Sequence, residues 1–231
     1  MSRRRVIVAI DGPGGAGKST IARRLAARLG FLYIDTGAMY RAVALWAQRN
    51  GISWDDPLAM EQMAIAAGIG LESSPPRVTL NGEDVTEAIR APEISQGASK
   101  VSALSGVRRA LVAKQREMAA YTSVVMEGRD IGTVVFPDAD VKIYLDAKPE
   151  VRADRRVKEL GEKSPPPPEK DRVLVELEER DKRDMGRADS PLRQAEDADM
   201  VDTTALNIEQ VEEEILRIIR LKTSNGKEYE R

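Results

Sequence analysis

The chain contains neither cysteine nor histidine. The first absence excludes disulfides, thiolate metal sites and thiol nucleophiles. The second excludes a serine–histidine triad, so any proton transfer falls to a carboxylate, a lysine or a tyrosine. No apolar run approaches the ~20 residues that span a bilayer. The stretch after Ser2-Arg3-Arg4-Arg5 is cut by Asp11 and is too short for a secretory segment, so a cytoplasmic location is expected. Nor is there a surplus of one charge: 36 basic against 38 acidic residues give a net charge of −2, which argues against a bulk nucleic-acid binder. No internal repeat is present, and no Asn-Lys-x-Asp motif of a guanine reader. The 231 residues, 42% hydrophobic and 32% charged, fit one globular domain or one domain with insertions.

What is present centres on Gly12-Pro13-Gly14-Gly15-Ala16-Gly17-Lys18-Ser19, followed by Thr20. This is G-x-x-x-x-G-K-[ST], the phosphate-binding loop. Val6-Ile7-Val8-Ala9-Ile10 before it reads as a buried strand. Ile21 to Leu29 after it is apolar at helical spacing and stops at Gly30. The glycines let successive N–H groups point inward as an anion nest, and the helix start adds its positive end. Lys18 is placed to reach the β- and γ-phosphates, and the Ser19 hydroxyl to ligate Mg²⁺.

Further strands are expected at Phe31–Ile34, Val124–Met126, Val141–Leu145 and Met200–Asp202. Helices are expected from Met39 to about Asn50, from Asp56-Pro57 to Ala67, from Ser99 to Ala120, from Pro149 to Leu160, from Glu169 to Arg187 and from Ile208 to Leu221. Alternating strands and helices imply a doubly wound parallel sheet. Between Gly68 and Arg90, short strand-like pieces flank Asn81-Gly82, a hairpin signal, and predict a small antiparallel insertion. Pro165-Pro166-Pro167-Pro168 is a stiff stretch, and the tail from Lys222 is expected to fray.

Three constellations lie beyond the loop. Thr36 and Tyr40 share a helix face, and Arg41 beside them is either a surface arginine or a reach to a second phosphate in front of the strand ends. Glu127-Gly128-Arg129-Asp130 closes a buried strand. Its carboxylate is either half of a strand-terminal salt bridge or part of the Mg²⁺ shell, with Arg129 clamping a phosphate. Arg152, Arg155 and Arg156 on one helix, and Arg180, Arg183 and Arg187 on the next, are either solvated ion-pair faces or a flap that neutralises a transferring phosphoryl group.

The chain resembles the bacterial cytidylate kinases over nearly its whole length. The likeness rests on Ile10-Asp11-Gly12-Pro13, on Asp35-Thr36-Gly37-Ala38-Met39-Tyr40-Arg41, on Gly128 to Ala139, and on Arg180-Asp181-Lys182-Arg183-Asp184 with Arg187 and Asp189-Ser190-Pro191-Leu192. It implies an α/β phosphate-loop kinase. The core would be a parallel five-stranded sheet flanked by helices, at residues 1–35, 98–148 and 190–231. A nucleoside-monophosphate-binding region would cover 36–97, with its antiparallel insert near 68–90, and a short helical lid 149–189. It further implies ATP-dependent phosphorylation of CMP and dCMP with Mg²⁺, by a monomer without nucleic-acid or membrane partners.

Carried over by position, the resemblance gives Thr36, Tyr40, Arg41, Arg129 and Arg187 to the acceptor phosphate. Ser99, Arg108 and Asp130 would read the cytosine edge, and Asp184 the sugar hydroxyls. Arg152, Arg155, Arg156, Arg180 and Arg183 would bring lid charge near the phosphates, and Ser19 and Glu127 would hold the metal through water. Thr36 stands where some members have serine, and the four-proline run is unusual for a lid. Two rivals are a phosphate-loop kinase for another small acceptor and a GTPase-type nucleotide switch.

Overall fold

A computed structural model describes residues 5–73, 75–163 and 166–223. Ser2 to Arg4 of the basic N-terminus, Pro165 of the proline run and the tail from residue 224 lie outside them. In chain order, β1 (Ile7–Asp11) leads through the glycine loop into α1 (Lys18–Leu29), β2 (Leu32–Asp35) and α2 (Thr36–Arg49). α3 (Pro57–Ala66) precedes β3 (Ile69–Ser73), β4 (Pro76–Leu80) and the short β5 (Glu83–Asp84). α4 (Pro92–Val101), α5 (Ser105–Met118), β6 (Val124–Glu127), a π-helical turn at Ile131–Val135 and β7 (Val141–Asp146) follow. α6 (Pro149–Lys163), α7 (Lys170–Met185), β8 (Asp199–Asp202) and α8 (Ile208–Lys222) complete the chain.

The termini of these elements have local causes. Gly30 takes the left-handed conformation (φ 67°) that closes α1. The Asp35 side chain accepts the Ala38 N–H to start α2, and Asp56 accepts from Leu58 and Ala59 ahead of Pro57 to start α3. Asn81 (φ 51°) and Gly82 (φ 86°) supply the two positive dihedrals that a type I′ hairpin needs. The expected antiparallel insertion is the sheet β3-β4-β5.

The main sheet has the order β2-β6-β1-β7-β8, and each neighbouring pair is parallel. Both faces are covered, so its strands are near-continuous apolar runs; Val8, Ala9 and Ile10 are fully buried. One face packs with Met39, Val43, Met60, Leu111 and Met126; the other packs α1 and α8 through Leu25, Ile215 and Leu216. Each fully buried aliphatic side chain of this kind contributes about 1.5–3 kcal/mol. Among the described residues, no helix is long and apolar enough to cross a membrane.

One expectation needs correction. The single helix predicted from Ser99 to Ala120 is two, α4 and α5, separated at residues 102–104. The Ser102 hydroxyl turns back to the Ser99 carbonyl, and the Ser102 carbonyl is taken by Arg108, so polar groups there serve side chains instead of a continuing helix. The break lets the start of α5 turn Arg108 toward the ends of the strands.

Register brings those ends together. Asp35 and Ile10 both stand opposite Glu127, and Asp11 opposite Tyr144. The carboxyl ends of β2, β6, β1 and β7 therefore form one crevice, the place where open α/β sheets bind ligands.

Candidate active site

The glycine loop turns at Gly12 (φ 145°), Gly15 (φ 77°) and Gly17 (φ 93°). A Cβ on Gly12 would lie 2.0 Å from the Leu145 carbonyl oxygen. The loop is thus wedged against β7, and no side chain fits there. Lys18 opens α1, is buried, and donates to the Pro13 carbonyl at 2.7 Å. Burial, and next the charge of Arg129, pushes its ammonium down to about 7.

Facing the loop, Glu127 is buried at the end of β6. Its Oε1 accepts the Tyr33 hydroxyl at 2.8 Å, and the nearby Ser19 hydroxyl favours the ionised carboxylate. Burial raises the Glu127 carboxyl, with the charge of Asp35 adding to the effect and that of Lys18 opposing it. The Thr36 hydroxyl donates to the Glu127 carbonyl at 2.7 Å, and Arg41 pairs with Asp35 at 3.0 Å. So Thr36 and Arg41, expected at a phosphate, brace the strand ends in this state.

Across the crevice, Arg108 and Asp130 form a buried pair, and Arg108 lies 5.7 Å from the Tyr40 ring centroid. Burial pushes the Tyr40 phenol up to about 12. Among the described residues, the buried Ser99 hydroxyl and Arg108 Nε have no hydrogen-bond partner. Native structures rarely leave such groups unpaired, so they mark a place where a polar ligand edge would complete the bonding.

Between the two poles sits Asp184 on α7, 1% exposed. It accepts from Arg129 at 2.9 Å and from Arg187, and Arg180 stands 4.0 Å away. Arg187 also donates to the Ser102 hydroxyl at 2.8 Å. Arg180 is pushed down to about 10, by burial first and then by Arg129, with Arg41 and Arg156 adding to the repulsion. Arg180 thus feels Arg129, Arg41 and Arg156 across one space, and Lys18 feels Arg129 and Arg180, so five cations gather there with Asp184 and Glu127 among them. Such a space stabilises phosphate oxygens.

The remaining lid arginines are not gathered there. Arg152 is buried and grips the back of the loop, bonding the Gly14 carbonyl at 3.0 Å, the Ala147 carbonyl at 3.0 Å and Asp181 at 2.5 Å. Arg155 turns to Thr203 after β8, through its hydroxyl (2.8 Å) and carbonyl (2.7 Å). Arg156 also pairs with Glu159 at 2.8 Å, and exposed Arg183 bonds the Glu179 carbonyl of its own helix, at 3.3 Å. Sequence reasoning missed Tyr33, Ser102, Asp181 and Asp11 as parts of the site. Asp11 and Asp181 stood inside recognised motifs; nothing local marked Tyr33 or Ser102.

Comparison with known proteins agrees with this geometry. The family model described as Cytidylate kinase matches residues 8–221. A cytidylate kinase from Solibacter usitatus is 61% identical over 98% of this chain and 97% of its own length. One from Syntrophotalea carbinolica is 49% identical over 94% and 92%. A crystal structure of an uncharacterized protein from Eubacterium ventriosum shares the fold at 12% identity, with a TM-score of 0.53 over 93% of this chain and 98% of that one. With a phosphate loop, a cationic crevice and relatives aligned end to end, the chain belongs to the cytidylate kinase family and is a nucleoside monophosphate kinase.

Proposed function

We propose that the chain transfers the γ-phosphoryl group of ATP to CMP and dCMP, yielding ADP and the corresponding diphosphate. The observation that carries this reading is the cluster of arginines around Asp184, set between the phosphate loop and the Arg108–Asp130 pair, where the Ser99 and Arg108 donors have no partner among the described residues. A phosphate oxygen of the acceptor attacks the γ-phosphorus as the bond to the β-bridging oxygen breaks. The attacking phosphate is already ionised near neutrality, so no strong base is needed, in keeping with a chain that lacks histidine. Positioning and charge neutralisation supply the rate.

In this reading Gly12 to Thr20 cradle the donor phosphates and Lys18 follows the γ-phosphate. Thr36, Tyr40, Arg41, Arg129 and Arg187 hold the acceptor phosphate. Ser99, Arg108 and Asp130 read the base, and Asp184 the sugar. Arg180 and Arg156 neutralise the transferring group, and exposed Arg183 joins as the lid closes, while Arg152 holds the loop from behind and Arg155 holds Thr203. Residues 1–35, 98–148 and 190–231 act as the core, 36–97 as the acceptor region and 149–189 as the lid. Closure would exclude water from the phosphoryl group.

Mg²⁺ fits this site. Among the described residues no cluster of three or more His, Cys, Asp or Glu side chains forms a metal cage. Mg²⁺ needs none, because it keeps waters and takes substrate phosphate oxygens beside one or two protein oxygens. The Ser19 hydroxyl and the Glu127 carboxylate would hold the ion through its waters. When bound, the ion would neutralise charge developing on the phosphate oxygens. The reading also places the enzyme in the cytoplasm as a monomer, which sedimentation of the purified chain tests.

The deciding experiment is a coupled ADP-release assay with CMP, dCMP, UMP, AMP and GMP as acceptors. Absence of CMP-dependent turnover ends the proposal. Asp130→Ala and Arg108→Met are expected to erode the preference for cytosine more than they weaken ATP binding. An equal loss for every acceptor base removes the base-reading assignment.

A further inference from the structure

Asp11 is the last residue of β1 and the one immediately before the glycine loop. It is 5% exposed, and each of its carboxylate oxygens accepts a backbone N–H: Oδ1 from Ile131 and Oδ2 from Gly132, both at 2.8 Å. These amides open the π-helical turn directly after Arg129 and Asp130. At a helical start the N–H groups have no partner in their own element, so their direction is set by whatever accepts them. On its other side Asp11 is followed by Gly12, locked against the Leu145 carbonyl. One carboxylate thus joins the loop that would hold the donor to the turn that would hold the acceptor, across 120 residues of chain.

A merely structural cap could be a serine or an asparagine, and either would satisfy one N–H. A carboxylate satisfies both in parallel, which fixes the turn against rotation as well as translation. The arrangement costs burial of a charge, and burial pushes the Asp11 carboxyl up to about 6, with Asp130 adding to the rise and the two N–H bonds and Lys18 opposing it. The phosphate transfer gives that cost a use, because an in-line reaction tolerates little displacement between its two substrates.

We propose that Asp11 is a positioning residue that keeps Arg129 and Asp130 in register with the phosphate loop, so that donor binding orders the acceptor turn. The inference rests on the kinase reading above. Its test uses the full chain, with Asp11→Asn and Asp11→Ala compared with the unmodified protein well below their melting temperatures. CMP and ATP affinities are measured separately by calorimetry, alongside kcat and KM for each substrate. CMP affinity and kcat are expected to fall about tenfold for the asparagine variant and further for alanine, as one and then two N–H groups lose their acceptor, while ATP affinity shifts less than about threefold. A lower melting temperature with both affinities and kcat intact makes Asp11 purely structural and overturns the proposal. So does an equal loss of ATP and CMP affinity.

Should the variants not fold, hydrogen exchange on the unmodified chain decides. ATP alone is expected to slow exchange of the Ile131 and Gly132 amides, and an unchanged rate overturns the proposal. If the unmodified chain shows no CMP-dependent turnover, the kinase reading fails. If it turns over normally and the variants match it, only the Asp11 inference fails.

Discussion

Asp184→Asn removes the charge around which the crevice is assembled. The Asp184 side chain is 1% exposed, and its guanidinium partners Arg129 and Arg187 are 17% and 8% exposed. Removing one member of a buried ion pair leaves the other charged and unpaired, which costs about 3–5 kcal/mol. Here more than one cation is orphaned, so the upper part of that range is expected. For a domain of this size each kcal/mol lowers Tm by about 2–4 °C, giving a fall of roughly 6–20 °C. The pH dependence follows from the carboxyl itself. Burial alone would raise it, but Arg129, Arg187 and Arg180 outweigh burial and hold it below its ordinary 3.8. A depressed folded value means that its stabilisation is complete above about pH 3.8 and fades as pH falls through the folded value. The difference between the two proteins should therefore be full at neutral pH and narrow in acid. Inorganic phosphate provides the second arm. An anion that enters the cluster replaces the missing charge, so phosphate should raise the Tm of the variant more than that of the unmodified chain. Thermal melts over a pH series, with and without phosphate, read all three effects. A variant that melts within about 2 °C of the unmodified chain at pH 7 refutes the reasoning, as does equal stabilisation of both by phosphate.

Three further outcomes are expected. Burial and Arg129 push Lys18 down to about 7, so the folded chain releases this proton before the unfolded one and stability gains from it as pH rises from about 7 toward 10.5. Polyphosphate beside the amine reverses the shift, so ATP binding at pH 8 should take up about one proton, measured by calorimetry in buffers of different ionisation enthalpy. Gly12→Ala forces a Cβ to 2.0 Å from a backbone oxygen at φ 145°. It should cost more than the roughly 1–3 kcal/mol of backbone strain alone, seen as an early denaturant midpoint. Tyr33→Phe leaves buried Glu127 short of a donor. It should destabilise the fold by about 1–3 kcal/mol and shift the Mg²⁺ concentration for half-maximal rate.

Local signals were legible wherever a few adjacent residues impose a conformation. The phosphate loop is written in glycines and a lysine that must occupy consecutive positions. The Asn81-Gly82 hairpin follows from two residues that tolerate positive φ, and the caps at Asp35 and Asp56 bond within their own turn. Apolar period and strand spacing were enough to predict the doubly wound sheet. Family resemblance, not spacing, brought Ser99, Arg108 and Asp130 together, since residues 22 apart across a strand and a turn carry no local mark of contact.

Amino-acid order alone determined the donor loop, the layer architecture and the antiparallel insert, because each depends on near neighbours and a repeating period. Folding in three dimensions decided the rest. It broke the Ser99–Ala120 segment in two, turned Arg152 onto the Gly14 carbonyl and Arg155 onto Thr203, and placed Asp184 among guanidinium groups from two elements. It also set Asp11 beneath a turn 120 residues away. A periodic pattern tells which face of an element is buried, but which charge meets which is settled only when strand register and helix packing bring distant side chains within bonding distance.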